Sequence, residues 1–170
     1  MVYAIKYRRR REGRTNYHKR LKLLQSGSTR VIVRRSNTGM TVQFADYQPT
    51  GDLIRAGATA KDVRSVGLTT SSAKSLPGAY LTGYIAGLRA KNAGVTSVIV
   101  DLGMQTSTKG NRLYATIKGV VDAGVSVSVD ESMFPTQERL EGKHITTHRT
   151  VTIQLEELKA KAKTLAASSA

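Results

Sequence analysis

The chain has 170 residues, a formal net charge of +15, 39% hydrophobic residues and no cysteine or tryptophan. That length fits one globular domain with flanking segments, and the apolar share suffices for a core. The missing cysteines exclude disulfides, thiolate catalysis and zinc ribbons, and they fit a reducing, cytoplasmic setting. No apolar run approaches the roughly 18 residues that a membrane span requires, so no membrane role is expected. The leading arginines lack the hydrophobic stretch of a secretory signal; a mitochondrial transit peptide is the less favoured reading of the same residues. Aromatic residues, at 5%, are too few for a platform that stacks single-stranded bases.

The charge is unevenly placed. Of 27 Lys and Arg, twelve fall within residues 1–35 beside a single acid, Glu12. A nearly balanced domain thus carries a basic arm, which favours a phosphate-rich partner. The arm opens with Arg8, Arg9, Arg10 and Arg11 and passes into a segment with Tyr17, Leu21 and Leu24 at helical spacing. Thr15 is the expected N-cap and Gly27 the expected stop. His18, Lys19, Arg20 and Lys22 then form a cationic face. Arginine forks match phosphate oxygens and lysines add point charge. Four like charges in a row repel, so the arm is expected to gain order against a polyanion.

Next, Arg30–Ser36 reads as a strand, Asn37-Thr38-Gly39 as a turn, and Met40–Asp46 as the antiparallel partner. A further turn at Pro49-Thr50-Gly51 leads to a third strand over Asp52–Ala58, completing a meander. Residues 59–72 are polar and mixed, and a loop is expected there. Ser75 should cap a helix with Leu76-Pro77 in its first turn, Leu81, Tyr84, Ile85 and Leu88 as its buried stripe, and Gly94 as its end. Gly83 and Gly87 on this helix suggest close approach to a sheet. Val95–Asp101 is rich in β-branched residues and suits a strand buried on both faces. A Gly/Thr/Ser/Lys loop spans Gly103–Asn111, a second helix starts near Arg112, and Val125–Asp130 is another strand. Two helix–Gly–strand–Asp units after a meander predict an α/β class with a mixed sheet, parallel on one side. Beyond Pro135 the patterns fade, and Leu155–Ala166 has the composition of a short helix.

The segments RRRREGRTNYHKRLKLL (8–24), VIVRRSN (31–37), AYLTGYIAGLRAKNAGV (79–95), VIVDLG (98–103), LYATIKGVVDAG (113–124) and ERLEGKHI (138–145) resemble the archaeal form of the L-eighteen family, which is also similar to the eukaryotic 5S-binding protein. These are 5S rRNA-binding proteins of the large ribosomal subunit. The resemblance implies a three-layer, ribonuclease-H-like α/β fold (the translational machinery component type) with a basic N-terminal arm. It implies binding to 5S rRNA and to large-subunit rRNA in the central protuberance, beside another 5S-binding ribosomal protein. Archaeal relatives can carry a longer, often acidic C-terminal extension, whereas residues 150–170 here are short and Lys/Ala-rich. Three parts follow: an arm over 1–28, a core over 29–134 and a C-terminal extension over 135–170.

The RNA-contacting candidates are Arg8, Arg9, Arg10, Arg11, Arg14, Asn16, Tyr17, His18, Lys19, Arg20 and Lys22 in the arm, with Arg30 on the first strand. In the family the corner holding Arg34, Arg35, Ser36 and Asn37 faces 5S rRNA. Thr108, Lys109, Asn111 and Arg112 could meet phosphate where small residues let the backbone approach and a helix N-terminus offers free N–H groups. The Walker spacing of a nucleotide loop is absent. Arg139, Lys143 and His144 either meet RNA or pin the C-terminal segment. An enzymatic alternative, a metal-dependent ribonuclease-H-like nuclease, would use Asp101 and Asp130 at strand ends with Glu131. The first strand offers Arg30, Arg34 and Arg35 where such a site wants a carboxylate, so a structural, metal-free and cofactor-free protein is the preferred reading. A protein-interaction module with a targeting arm is a third possibility.

Overall fold

The computed structural model describes residues 4–69, 73–143 and 155–168. The chain runs α1 (Arg8–Arg11), α2 (Tyr17–Leu24), β1 (Arg30–Arg35), β2 (Met40–Asp46), β3 (Leu53–Thr59), α3 (Ala60–Ser65), α4 (Leu76–Asn92), β4 (Ser97–Asp101), α5 (Arg112–Asp122), β5 (Ser126–Val127), a 3-10 turn (Glu131–Met133), α6 (Gln137–Leu140) and α7 (Leu155–Ser168). The five strands form one sheet in the order β3-β2-β1-β4-β5. The meander is antiparallel, with Val33 opposite Val42 and Val31 opposite Phe44. β4 joins β1 in parallel, and β5 joins β4 in parallel. The sheet is therefore mixed and parallel on one side, as the twin helix–strand units lead one to expect. β5 is only two residues long, so the strand expected up to Asp130 stops early; Asp130 instead caps the 3-10 turn by accepting from the Ser132 N–H.

Side chains alternate across β1. Val31 and Val33 are fully buried, with Val42 and Phe44 of β2, in the core beneath α4 and α5. Arg30, Ile32 and Arg34 therefore point to the opposite face, which Asp101, paired in register with Ile32, shares. β4 is only half-covered at Ile99 and Val100, not buried on both faces as its composition suggests.

α4 is the axis of the domain. Ser75 caps it by accepting from the Gly78 N–H, and Pro77 sits in its first turn. Every residue from Leu76 to Gly87 is buried, so the expected single stripe widens to the whole circumference. The reason is a second cover: α7 lies along α4 with Leu155, Ala162 and Ala166 buried. Lys159 Nζ sits 5.3 Å from the centre of the Tyr80 ring. Tyr80 stacks on Tyr84, and its hydroxyl donates to Asp122 at 2.7 Å. Burial, then that carboxylate, pushes the Tyr80 phenol far up, so it stays a donor.

The glycine spacing on α4 serves a helix–helix crossing, not the helix–sheet contact the sequence suggests. A Cβ at Gly83 would land on the Thr116 carbonyl of α5, and one at Gly119 on the Tyr80 carbonyl of α4. The segment expected as loop over 59–72 contains α3, which Thr59 and Asp62 start with a reciprocal capping box; residues 70–72 lie outside the described residues.

Candidate nucleic-acid interface

The arm takes its local form from its own polar groups. Asn16, one residue later than expected, caps α2 by accepting from the Lys19 N–H. Thr15 instead accepts from Arg9 Nε at 2.9 Å, folding the leading turn back on itself. Glu12, the arm's one acid, receives Arg14 at 3.0 Å and Arg8 at 3.7 Å. The Tyr7 and Tyr17 rings meet at 5.4 Å between centroids, linking the residues before α1 to α2. Arg10, Arg11, His18 and Lys22 are exposed. Among the described residues none of these four has an ion-pair partner.

The inner face of α2 differs from the expected stripe. Tyr17, Arg20, Leu23 and Leu24 turn toward the domain, while Leu21 is 58% exposed. Arg20 belongs to this inner face and not to the cationic outer one. Its Nη2 donates to both carboxylate oxygens of Asp52, at 3.1 and 3.0 Å. Asp52 also lies 2.7 Å from Arg30 Nη2. Arg30 in turn meets Asp101 at 3.4 Å, and Asp101 accepts from Arg34 at 3.1 Å. The result is an alternating row, Arg20–Asp52–Arg30–Asp101–Arg34, laid across the outer sheet face.

Arg30 is a correction to the sequence reading. It is 1% exposed, so it cannot reach RNA. Its charge is tolerated because two carboxylates meet it, one on β4 and one just before β3. Burial raises the Asp52 carboxyl, but the hydrogen bonds from Arg30 and Arg20 more than reverse that and hold it below its ordinary 3.8.

Around the exposed end of this row the arm and the C-terminal ends of β1 and β4 enclose a groove of about 620 Å³. Its lining includes Arg9, Arg14, Lys19, Arg20, Arg34 and Arg35, against Asp101 as the one acid. That acid is already committed to Arg30, to Arg34 and to the Gly103 N–H. With six basic residues against one acid in its lining the groove is net positive, the condition for gathering a polyanion. Gly103, Met104 and Gln105 form the far lip. Gln105 fastens that lip to β1: its side chain donates to the Val33 carbonyl at 2.9 Å and accepts from the Arg35 N–H at 3.1 Å. Gly103 is left-handed, and a Cβ there would come 2.9 Å from the Arg34 guanidinium.

A second basic recess joins three segments: Arg35, Ser36 and Asn37 at the β1–β2 turn, Lys74 before α4, and Arg112 at the start of α5. Arg112 donates to the Lys74 carbonyl at 2.8 Å. Ser36 is occupied by the turn, accepting from the Thr38 and Gly39 N–H groups. Asn111 is spent on the N-cap of α5, accepting from the Tyr114 N–H, and Thr108 accepts from its amide. Lys109 is exposed nearby. Arg139 and Lys143 are exposed farther along the chain, with Lys143 held 3.0 Å from Glu141; His144 lies outside the described residues. The structure thus gathers the arm with Arg34 and Arg35, and Arg35 with Arg112; Arg139 lines neither recess but lies against Gly110 in the loop before α5, and Lys143 stands apart from both. Sequence reasoning missed Asp52, Lys74, Met104 and Gln105; only the Pro-Thr-Gly turn before Asp52 gave any local signal.

The carboxylates considered for a metal centre do other work. Asp101 neutralises two arginines and Asp130 caps a turn. Among the described residues no group of three or more His, Cys, Asp or Glu gathers.

Comparison with known proteins decides the family. The family model described as "Ribosomal large subunit proteins 60S L5, and 50S L18" matches residues 1–96. The chain belongs to this family. It is 50% identical over 143 residues to the large ribosomal subunit protein uL18 of Korarchaeum cryptofilum, covering 84% of this chain and 73% of that protein. The uL18 of Natronomonas pharaonis is 43% identical, with 84% of this chain and 77% of that protein covered. For the uL18 of Metallosphaera sedula the identity is 46%, over 84% and 72%. The matched family is one of ribosomal structural proteins and not of enzymes, and it lends the nuclease alternative no support.

Proposed function

We propose that this structural constituent of the large ribosomal subunit binds 5S rRNA and helps attach it to the large-subunit rRNA in the central protuberance, beside another 5S-binding ribosomal protein. The observation that carries the reading is the groove between arm and sheet, lined by five arginines and Lys19 against a single acid that Arg30 and Arg34 already neutralise. Arg8, Arg9, Arg10, Arg11, Arg14, His18, Lys19 and Lys22 meet phosphates from the arm. Arg34, Arg35, Asn37, Lys109 and Arg112 meet them from the domain. A-form RNA hides its major groove, so recognition rests on shape, phosphates and 2′-hydroxyls and not on a base code. Residues 1–28 act as the arm, 29–134 as the rigid body and 135–170 as an extension. The body is of the three-layer ribonuclease-H-like type, and the protein works in the cytoplasm.

The test is binding of a 5S rRNA transcript over a salt series. With about six to ten phosphates neutralised, affinity should fall by roughly three to five decades between about 50 and 200 mM salt. A salt-independent affinity, or equal affinity for an unrelated RNA of the same length, would overturn the reading.

A further inference from the structure

We propose that Asp52 is the positioning residue of the arm: by holding Arg20 it seats α2 against the sheet and sets where the arm's free cations stand before RNA arrives. This rests on the RNA-binding reading above. α2 has no fully buried residue, so packing alone holds it weakly. Among the described residues its polar ties to the domain are the Arg20–Asp52 pair and a 3.4 Å contact from Lys19 Nζ to the Gly103 carbonyl. The Arg20–Asp52 pair is the stronger: one guanidinium nitrogen reaches both carboxylate oxygens, and both side chains are partly shielded from solvent, at 35% and 21% exposure. Asp52 is a firm anchor because its other face meets Arg30, which is buried and held from the far side by Asp101.

Residues 25–29 connect α2 to β1 with no helix or strand of their own. Without the tie, α2 can pivot on that connection, and the groove between it and the β1–β4 ends loses one wall. Seating the helix in advance removes an ordering cost that RNA binding would otherwise carry. Asp52 acts through Arg20 and touches no phosphate itself.

The chain has no cysteine, so Leu21→Cys on the exposed face of α2 gives a single site for a spin label. Without RNA, the label should be restricted in the otherwise unaltered protein and mobile in Asp52→Asn and Arg20→Gln. It should be unchanged in Lys22→Gln, which removes a charge from the same helix but no tie. Affinity for the 5S rRNA transcript should fall about tenfold in Asp52→Asn and in Arg20→Gln, the scale of one charge-assisted hydrogen-bonded pair. The double variant should be no weaker than the weaker single. Should Asp52→Asn fail to fold because Arg30 loses a partner, Arg20→Gln, which leaves that pair intact, decides alone. Unaltered label mobility, or losses that add in the double variant, would overturn the proposal. If the unaltered protein does not bind 5S rRNA, the functional reading falls while the label still decides the tether.

Discussion

Arg10 and Arg30 are the same residue type twenty positions apart, in a stretch that holds one acid between them, yet their environments are opposite. Arg10 stands in solvent on the arm with no ion-pair partner among the described residues; Arg30 is closed into the sheet face between Asp52 and Asp101. The carboxylates that make the difference lie 22 and 71 residues farther along the chain from Arg30. On the function proposed above, the unpaired cations of the arm serve a partner the protein does not contain, whereas Arg30 completes a network with the protein's own acids. Charge density in a sequence marks the first kind only where no distant acid folds back onto it.

The sharpest way to break this contrast is to remove one region entirely. Deleting residues 1–24 should leave the domain folded, as judged by circular dichroism and thermal melting, while 5S rRNA affinity drops by several decades at about 100 mM salt. Unchanged affinity would deny the arm its role. Next in size, Arg30→Ala strands two carboxylates on the sheet and should cost about 3–5 kcal/mol in denaturant unfolding. A loss below about 1 kcal/mol would mean that Asp52 and Asp101 find other partners. A control outside both regions is Gly83→Ala, which drives a methyl group into the α5 backbone and should cost about 1–3 kcal/mol.

The paired carboxylates also make an acid prediction. Hydrogen bonding from Thr29 and then Arg55 holds Asp46 below 3.8. Burial raises Asp62, but the Thr59 N–H and Arg89 outweigh it. A carboxyl whose folded pKa is depressed stabilises the fold above its unfolded value and loses that contribution as pH falls through the folded one. Thermal stability should therefore be flat between about pH 5 and 9 and fall below about pH 4, and Asp46→Asn should flatten the acid decline. The smallest effect belongs to the exposed arm: Arg10→Gln with Arg11→Gln should leave melting unchanged and reduce the salt slope by about one per lost phosphate contact. A changed melting temperature would show that these arginines have internal partners after all.

Local signals gave the meander. Alternation in Met40–Asp46 fixed which face is buried, and Ser75 with Pro77 marked the start of α4 correctly. α3 escaped because its capping pair, Thr59 and Asp62, sits in a polar stretch with too few apolar positions to show a period. The second cover on α4 escaped because whether a tail docks depends on the surface waiting for it. In the candidate interface, the basic character of the arm and of the β1 end was legible from charge. The inward turn of Arg20, the burial of Arg30 and the contributions of Lys74 and Gln105 were not, since each depends on a partner brought near only by the fold.

The seating of α7 on α4 has a consequence for the newborn polypeptide. Residues 76–92 leave the ribosome well before 155–168 do, so a nascent chain presents one flank of its central helix, Tyr80 included, to the surroundings until its later portion arrives. That interval is a window for aggregation or for engagement by a chaperone, and it closes when Leu155, Ala162 and Ala166 settle into place.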